Sequence, residues 1–186
     1  MPPSDQVWRE RGLRDAVLAG DERAWRALYD ASFDSLYAYA QWRLGGLRHA
    51  AEELTQETWL VAVRRIGAFD PEQGPFLAWL RGIAANLIRN YLRRPRRLRL
   101  SVGDQEAADD TGRRETAEEI ARALAALPED QEAVLREKYL EQRSVEEIAA
   151  QWGRSAKAIE SLLSRARVAF RGVYPTPDAA PAKERK

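Results

Sequence analysis

Ser144 to Phe170 reads SVEEIAAQWGRSAKAIESLLSRARVAF, and this stretch decides the fold. Ser144-Val145-Glu146-Glu147 fits a capping box, with Ser144 as N-cap and Glu147 reaching back to its amide. The short helix Val145 to Trp152 then meets a tight turn at Gly153, and Ser155 is placed to cap the next helix. Two short helices joined by a glycine-containing turn form a helix-turn-helix. On the second helix Ile159, Leu162, Leu163, Ala166 and Phe170 recur at helical spacing and should face the core. The opposite face carries Lys157, Glu160, Ser161, Ser164, Arg165 and Val168. In such a motif the N-terminal half of the second helix enters the major groove and reads base edges. From Arg154 to Arg171 five cations (Arg154, Lys157, Arg165, Arg167 and Arg171) stand against Glu160 alone. Glu160 still suits a base edge, because a carboxylate accepts from cytosine N4. The candidate DNA contacts are therefore Arg154, Ser155, Lys157, Glu160, Ser161, Ser164 and Arg165. Taken alone, the stretch also fits a helical hairpin whose charges are merely solvated.

Working outward, nearly every periodic segment of the chain has helical spacing, and no alternating strand stands out. Asp5 to Ala19 carries Val7, Trp8, Leu13, Val17 and Leu18 and stops at Gly20. Asp21 is the expected N-cap of a helix running to Leu44, ended by Gly45-Gly46. Its apolar stripe is Trp25, Leu28, Tyr29, Phe33, Leu36, Tyr37, Ala40 and Leu44. A third helix, about Ala50 to Ile66, has Leu54, Thr58, Val61 and Ile66 as its core face. The turn-rich segment Gly67 to Pro75 (GAFDPEQGP) reads as a loop. A fourth helix runs from Phe76 to about Arg94, where Pro95 ends it. Beyond the linker, Thr116 to Leu127 and Glu129 to Glu141 complete the helices, the latter carrying Val134, Leu135 and Tyr139.

The reading is all-α: two small helical domains joined by a flexible linker. Residues 1–20 form an N-terminal helix packing on the first domain, 21–97 that domain, 98–115 an acidic linker, 116–172 the second domain and 173–186 a disordered tail. The linker expectation rests on SVGDQEAADDTG, which has too few large apolar side chains to offset its ordering entropy. Extended, the 21 residues from Pro95 to Glu115 span at most roughly 70 Å. At about 3.4 Å per base pair, two readers on this tether reach separate elements on one duplex.

Composition narrows the function classes. The chain has 186 residues, 30 Lys+Arg against 29 Asp+Glu, one histidine and no cysteine. Thiolate zinc sites, disulfide scaffolds and cysteine nucleophiles are excluded. His49 is the sole histidine, and neither a phosphate-cradling glycine loop nor a nucleophilic serine motif occurs, so no enzyme, metal or cofactor is expected. No apolar run approaches the roughly 20 residues of a membrane helix. The N-terminal MPPSDQVWRERG lacks the apolar stretch of a secretory signal, so a cytoplasmic protein without membrane insertion is expected.

Charge is segregated within this near-neutral total. On the fourth helix Phe76, Leu80, Ile83, Ala84, Leu87 and Tyr91 form the expected buried stripe. Trp79, Asn86, Arg89, Asn90, Arg93 and Arg94 lie on the other side. From Asn86 to Leu100 every charge is positive, with Arg96, Arg97 and Arg99 extending the run. Arginine forks suit phosphate, asparagines offer paired donor and acceptor groups, and an exposed Trp offers a stacking surface. A solvated basic face with a core tryptophan is the competing reading. The third helix has the opposite sign: Glu52, Glu53, Gln56, Glu57 and Leu60 point away from its core stripe. Phosphate would be repelled there, so this face either meets a basic protein partner or is simply solvated.

Three stretches in order resemble a known family: AAEELTQETWLVAVRRI, then FLAWLRGIAANLIRNYLRR, then LPEDQEAVLREKYLEQRSVEEIAAQWGRSAKAIESLLSRAR after the linker. Over roughly Asp21 to Arg171 the chain is similar to the extracytoplasmic-function (ECF) group of bacterial sigma-70 factors. The resemblance implies a first domain that recognises and melts the minus-ten promoter element and a second that reads minus-thirty-five. It implies that Glu53, Gln56, Glu57 and Leu60 dock on the clamp helices of the beta-prime subunit of core RNA polymerase, with the beta flap as a further contact. Trp79, Asn86, Arg89, Asn90, Arg93 and Arg94, with the 67–75 loop, would handle minus-ten DNA and an extruded base. An anti-sigma partner is implied as well. Glu53 and Asn90 stand where the family more often has Asp, and Ala158 and Glu160 where it often has Thr and Lys. A free-standing helix-turn-helix regulator is the alternative; it leaves residues 21–97 without a role.

Overall fold

A computed structural model describes residues 5–94 and 111–174. The described residues form eight α-helices and no strand: α1 (Asp5–Leu18), α2 (Glu22–Arg43), α3 (Arg48–Arg65), α4 (Phe76–Arg93), α5 (Thr111–Ala126), α6 (Glu129–Leu135), α7 (Val145–Trp152) and α8 (Ala156–Val173). The expected all-α architecture is therefore present. The chain divides into two compact units, Met1–Ala117 and Glu118–Lys186. Arg96, Arg97 and Arg99, linker residues 98–110 and the tail from residue 175 lie outside the described residues.

In the first unit α2, α3 and α4 pack against one another, and α1 lies on α2 and on the short turn Ile66–Ala68. Asp21 caps α2 as its side chain suggests, accepting from the Arg23 amide at 2.8 Å. Every fourth residue of α4 is sealed: Phe76, Leu80, Ala84 and Ile88 are essentially inaccessible. The expected stripe includes Phe76, Leu80 and Ala84; toward the C-terminal end it runs through Leu87 and Tyr91, both half-buried, and omits Ile88. Because α4 contacts both α2 and α3, the residue between the two contact lines is the deepest one. Trp59 of α3, also absent from the expected core, is buried and touches Tyr29 and Phe76 with ring centroids 4.8 and 6.1 Å away. Tyr29, expected inside, keeps 41% of its surface exposed.

The second unit packs α6 and α7 against α8. Its core is Val134, Leu135, Ile148, Ala149, Ile159, Leu162, Leu163 and Ala166. The helix expected over 129–141 changes form at Arg136: residues Arg136–Leu140 make a wider π turn, closed by the Glu141 amide donating to the Arg136 carbonyl at 3.0 Å. The extra residue per turn rotates the face. Tyr139 therefore points outward, half exposed, unlike Val134 and Leu135 on the same segment, and Glu137 turns inward. Helix α5 starts at Thr111, so residues 111–115, assigned to the linker on composition, are helical. The Thr116 hydroxyl donates to the Gly112 carbonyl within that added turn, and its Arg-Arg-Glu run consists of good helix formers that a burial argument undervalues.

Candidate nucleic-acid interface

The helix-turn-helix is built by its caps. The Ser144 hydroxyl oxygen accepts from the Glu147 amide at 3.1 Å, and the Glu147 carboxylate accepts from the Ser144 amide at 2.7 Å. That backbone bond, followed by the Ser144 side chain, holds the Glu147 carboxyl below its usual range. Gly153 ends α7 with φ +61°, a left-handed conformation that costs a side-chain-bearing residue about 1–2 kcal/mol. Ser155 then caps α8 by accepting from the Ala158 amide at 3.2 Å. Its lone pair is engaged while its proton is free to donate outward.

With α8 fixed in this way, Ile159, Leu162, Leu163 and Ala166 fill the core, with Phe170 half-buried. Lys157, Glu160, Ser161, Ser164 and Arg165 are all exposed, as are Arg154 and Ser155. Lys157, Ser161 and Ser164 follow one another at i, i+4 and i+7 and share one ridge. The Arg154 guanidinium rests 5.5 Å from the Trp152 ring centroid, which orients it without neutralising it. Arg167 instead turns to Tyr139, donating to its hydroxyl at 2.9 Å.

On α4, Asn86, Arg89, Asn90, Arg93 and Arg94 are exposed together on the side away from the Phe76–Ile88 seam. Arg89 donates to the Asn86 side-chain carbonyl at 3.1 Å, leaving the Asn86 amide nitrogen as its outward donor. Trp79 is half-buried, with its ring 5.5 Å from Phe69 and 5.7 Å from Phe76, so part of its surface is committed to the core. In the preceding loop Asp70 accepts from the Glu72 amide and the Gln73 side chain, both at 3.0 Å. These bonds, the Gln73 one foremost, hold its carboxyl below the ordinary range.

The α3 face is acidic and partly apolar. Gln56, Glu57 and Leu60 are exposed, Leu60 by 57%, and Val63 one turn on is exposed by 53%. Sequence reasoning passed over Val63, although its i+3 spacing from Leu60 was a readable signal. Glu53 sits at the edge of this face, 3.5 Å from the His49 imidazole. Glu52 accepts from the Tyr37 hydroxyl at 3.4 Å.

Two family models match these units: Sigma-70 region 2 over residues 28–98 and Sigma-70, region 4 over residues 117–170. The ECF sigma factor SigF of Caulobacter vibrioides is 32% identical over 166 residues, covering 88% of this chain and 92% of SigF. The chain belongs to the ECF sigma factors. BldN of Streptomyces coelicolor, another ECF RNA polymerase sigma factor, is 36% identical over 165 residues, covering 83% of this chain; the match spans 61% of BldN. Among solved structures, CnrH in complex with the cytosolic domain of CnrY has a TM-score of 0.51 at 25% identity, covering 88% of this chain and 96% of CnrH. The region 2 match takes in the exposed faces of α3 and α4, and the region 4 match ends within α8, past Arg165.

Proposed function

We propose that this sigma factor binds core RNA polymerase and directs promoter-specific transcription initiation. The α4 face would read and open minus-ten DNA, and the α8 face would read minus-thirty-five. The observation that carries the reading is a coincidence within each unit. Inside the region 2 match α4 exposes Asn86, Arg89, Asn90, Arg93 and Arg94, and inside the region 4 match α8 exposes Lys157, Ser161, Ser164 and Arg165. The α3 face of Glu53, Gln56, Glu57 and Leu60 is the proposed dock for the beta-prime clamp helices, since it pairs a negative charge with an exposed leucine and repels DNA. The beta flap is the proposed contact of the second unit.

The protein acts on this reading by binding rather than by catalysis, in the cytoplasm where polymerase resides. None of the described helices is long and apolar enough to cross a membrane. CnrH was solved with the cytosolic domain of CnrY bound, and we extend that to an anti-sigma partner here. A free-standing helix-turn-helix regulator is not favoured, because it leaves the region 2 match unused.

The test is direct binding of the full chain to bacterial core polymerase without DNA, followed by fluorescence anisotropy. Saturable binding that weakens when Gln56→Ala and Glu57→Ala are combined is the expected result. Absence of core binding, together with sequence-specific DNA binding by the protein alone, would refute the reading.

A further inference from the structure

The segment from Phe69 to Phe76 leads into the α4 face, yet its ties run to α1. Helix α4 has Pro75 at its N-cap, which offers no side-chain acceptor, so the first amides of the helix need partners from elsewhere. The Phe76 amide donates to the Glu10 carboxylate at 2.9 Å, across 66 positions of sequence. At the other end of the segment the Arg14 guanidinium donates to the Phe69 carbonyl at 3.2 Å. Asp15 holds that guanidinium in place through contacts of 3.0 and 3.2 Å. Between these two ties, Arg11 pairs with Glu72. The middle of the loop is closed by Asp70 through Glu72 and Gln73.

Both ties from Glu10 and Arg14 reach backbone atoms, so they hold the ends of the loop independently of its side chains. They act at its two ends, where the Phe69 and Phe76 rings are themselves buried, with centroids 5.2 Å apart. Glu10 is half-buried and its carboxylate takes up a helix N-terminus, a favourable place for negative charge.

We propose that α1 is a positioning element for base selection. By clamping Phe69 and Phe76, Glu10 and Arg14 hold the 69–76 loop preformed for the extruded minus-ten base. This rests on the reading of α4 and its preceding loop as the minus-ten surface. A preformed loop discriminates between bases because a wrong base cannot be accommodated by rearrangement, whereas an untethered loop adapts to several.

The test assembles the full chain with core polymerase and transcribes a promoter library whose minus-ten element is randomised, reading the selected templates by sequencing. Glu10→Ala combined with Arg14→Ala is compared with wild type, with Glu10→Gln as the conservative variant that keeps an acceptor. The double variant cuts two ties, and since loss of one net hydrogen bond already changes an equilibrium about fivefold, base preference is expected to flatten by about fivefold or more. Core affinity should stay within about twofold, because neither residue belongs to the α3 face. Amide exchange should quicken over 69–76 and not in α2 or α3, and Glu10→Gln should retain most of the preference. Undiminished preference in the double variant, with wild type selecting normally, overturns this inference alone. A wild-type protein that selects no sequence overturns the promoter-reading function and this inference with it. If the double variant loses protection in α2 and α3, the single variants Glu10→Ala and Arg14→Ala, each cutting one tie, carry the same comparison.

Discussion

Replacing Glu137 by Ala should loosen the second unit and leave the first intact. The carboxylate is buried, at 4% exposure, beneath the π turn. One oxygen lies 3.2 Å from the Arg143 guanidinium, and the other lies 3.9 Å from Arg136. Gln151 and Trp152 of α7 direct N–H groups at it from 3.4 and 3.5 Å. Removing one member of a buried ion pair costs about 3–5 kcal/mol when the other charge is stranded. Here neither arginine is stranded. Arg136 pairs with Glu141, and Arg143 lies 3.4 Å from the same carboxylate with 39% of its side chain open to water. The expected loss is therefore below that range, about 2 kcal/mol. In a unit this small each kcal/mol moves Tm by roughly 4–8 °C, so the transition should fall by roughly 8–16 °C. Glu137→Gln keeps an acceptor and should lose about half as much. Calorimetry of the full chain gives the size, and amide exchange gives the place: protection should fall in α6, α7 and α8 only. A loss under about 0.5 kcal/mol, the scale of ordinary surface changes, would refute the assigned role of the buried carboxylate. So would equal deprotection of α2, α3 and α4.

Arg93→Ala should lower promoter-complex affinity and reduce the slope of log affinity against log salt by about 0.9, as loss of one phosphate contact does; a salt titration of the holoenzyme complex measures it, and an unchanged slope removes Arg93 from the interface. Gly153→Ala should destabilise the second unit by about 1 kcal/mol through the positive φ alone, since a Cβ there meets no heavy atom within 4 Å; denaturant unfolding reads this, with the m-value unchanged. The Glu147 cap has a definite pH sign. Its folded carboxyl is depressed relative to the unfolded one, so its contribution is present above the usual carboxylate range and lost as pH falls through the folded value. Glu147→Gln should remove that acid-side dependence, whereas Ser144→Ala, which keeps the backbone donor to Glu147, should retain most of it and lose about 1 kcal/mol of cap, seen by comparing unfolding at pH 7 with unfolding in acid.

Local chemistry made much of the fold legible. Ser144 with Glu147, Gly153 and Ser155 specify both ends of α7 and the start of α8 within a dozen residues, and the Ile159, Leu162, Leu163 and Ala166 stripe then fixes which way α8 faces. The exposed placements of Asn86, Asn90, Arg93 and Lys157 follow from the same periodicity. What escaped depends on contacts distant in sequence or on a departure from α geometry. Nothing in the run REKYL announces that one extra residue per turn will bury Glu137 and expel Tyr139. Ile88 is not singled out by spacing alone, because its depth comes from the packing of α4 against both α2 and α3. Glu10 reads as one more solvated acid on a charged helix until the fold brings it to the Phe76 amide.

The two faces of α8 share no residue, and this has a consequence for how such proteins diversify. Ile159, Leu162, Leu163 and Ala166 hold the helix, and Lys157, Glu160, Ser161, Ser164 and Arg165 face away from it. On the proposed promoter-reading function, the outward set is free to drift, so duplicated copies of the gene can acquire new targets without passing through unstable intermediates. Ser155 is the exception. It closes the helix with its oxygen and offers its proton outward, so a replacement there must satisfy two demands at once. Aspartate or asparagine would keep the cap and surrender the hydroxyl, and aspartate would add a charge that repels phosphate. Retargeting should therefore spare position 155 while the five outward positions change around it.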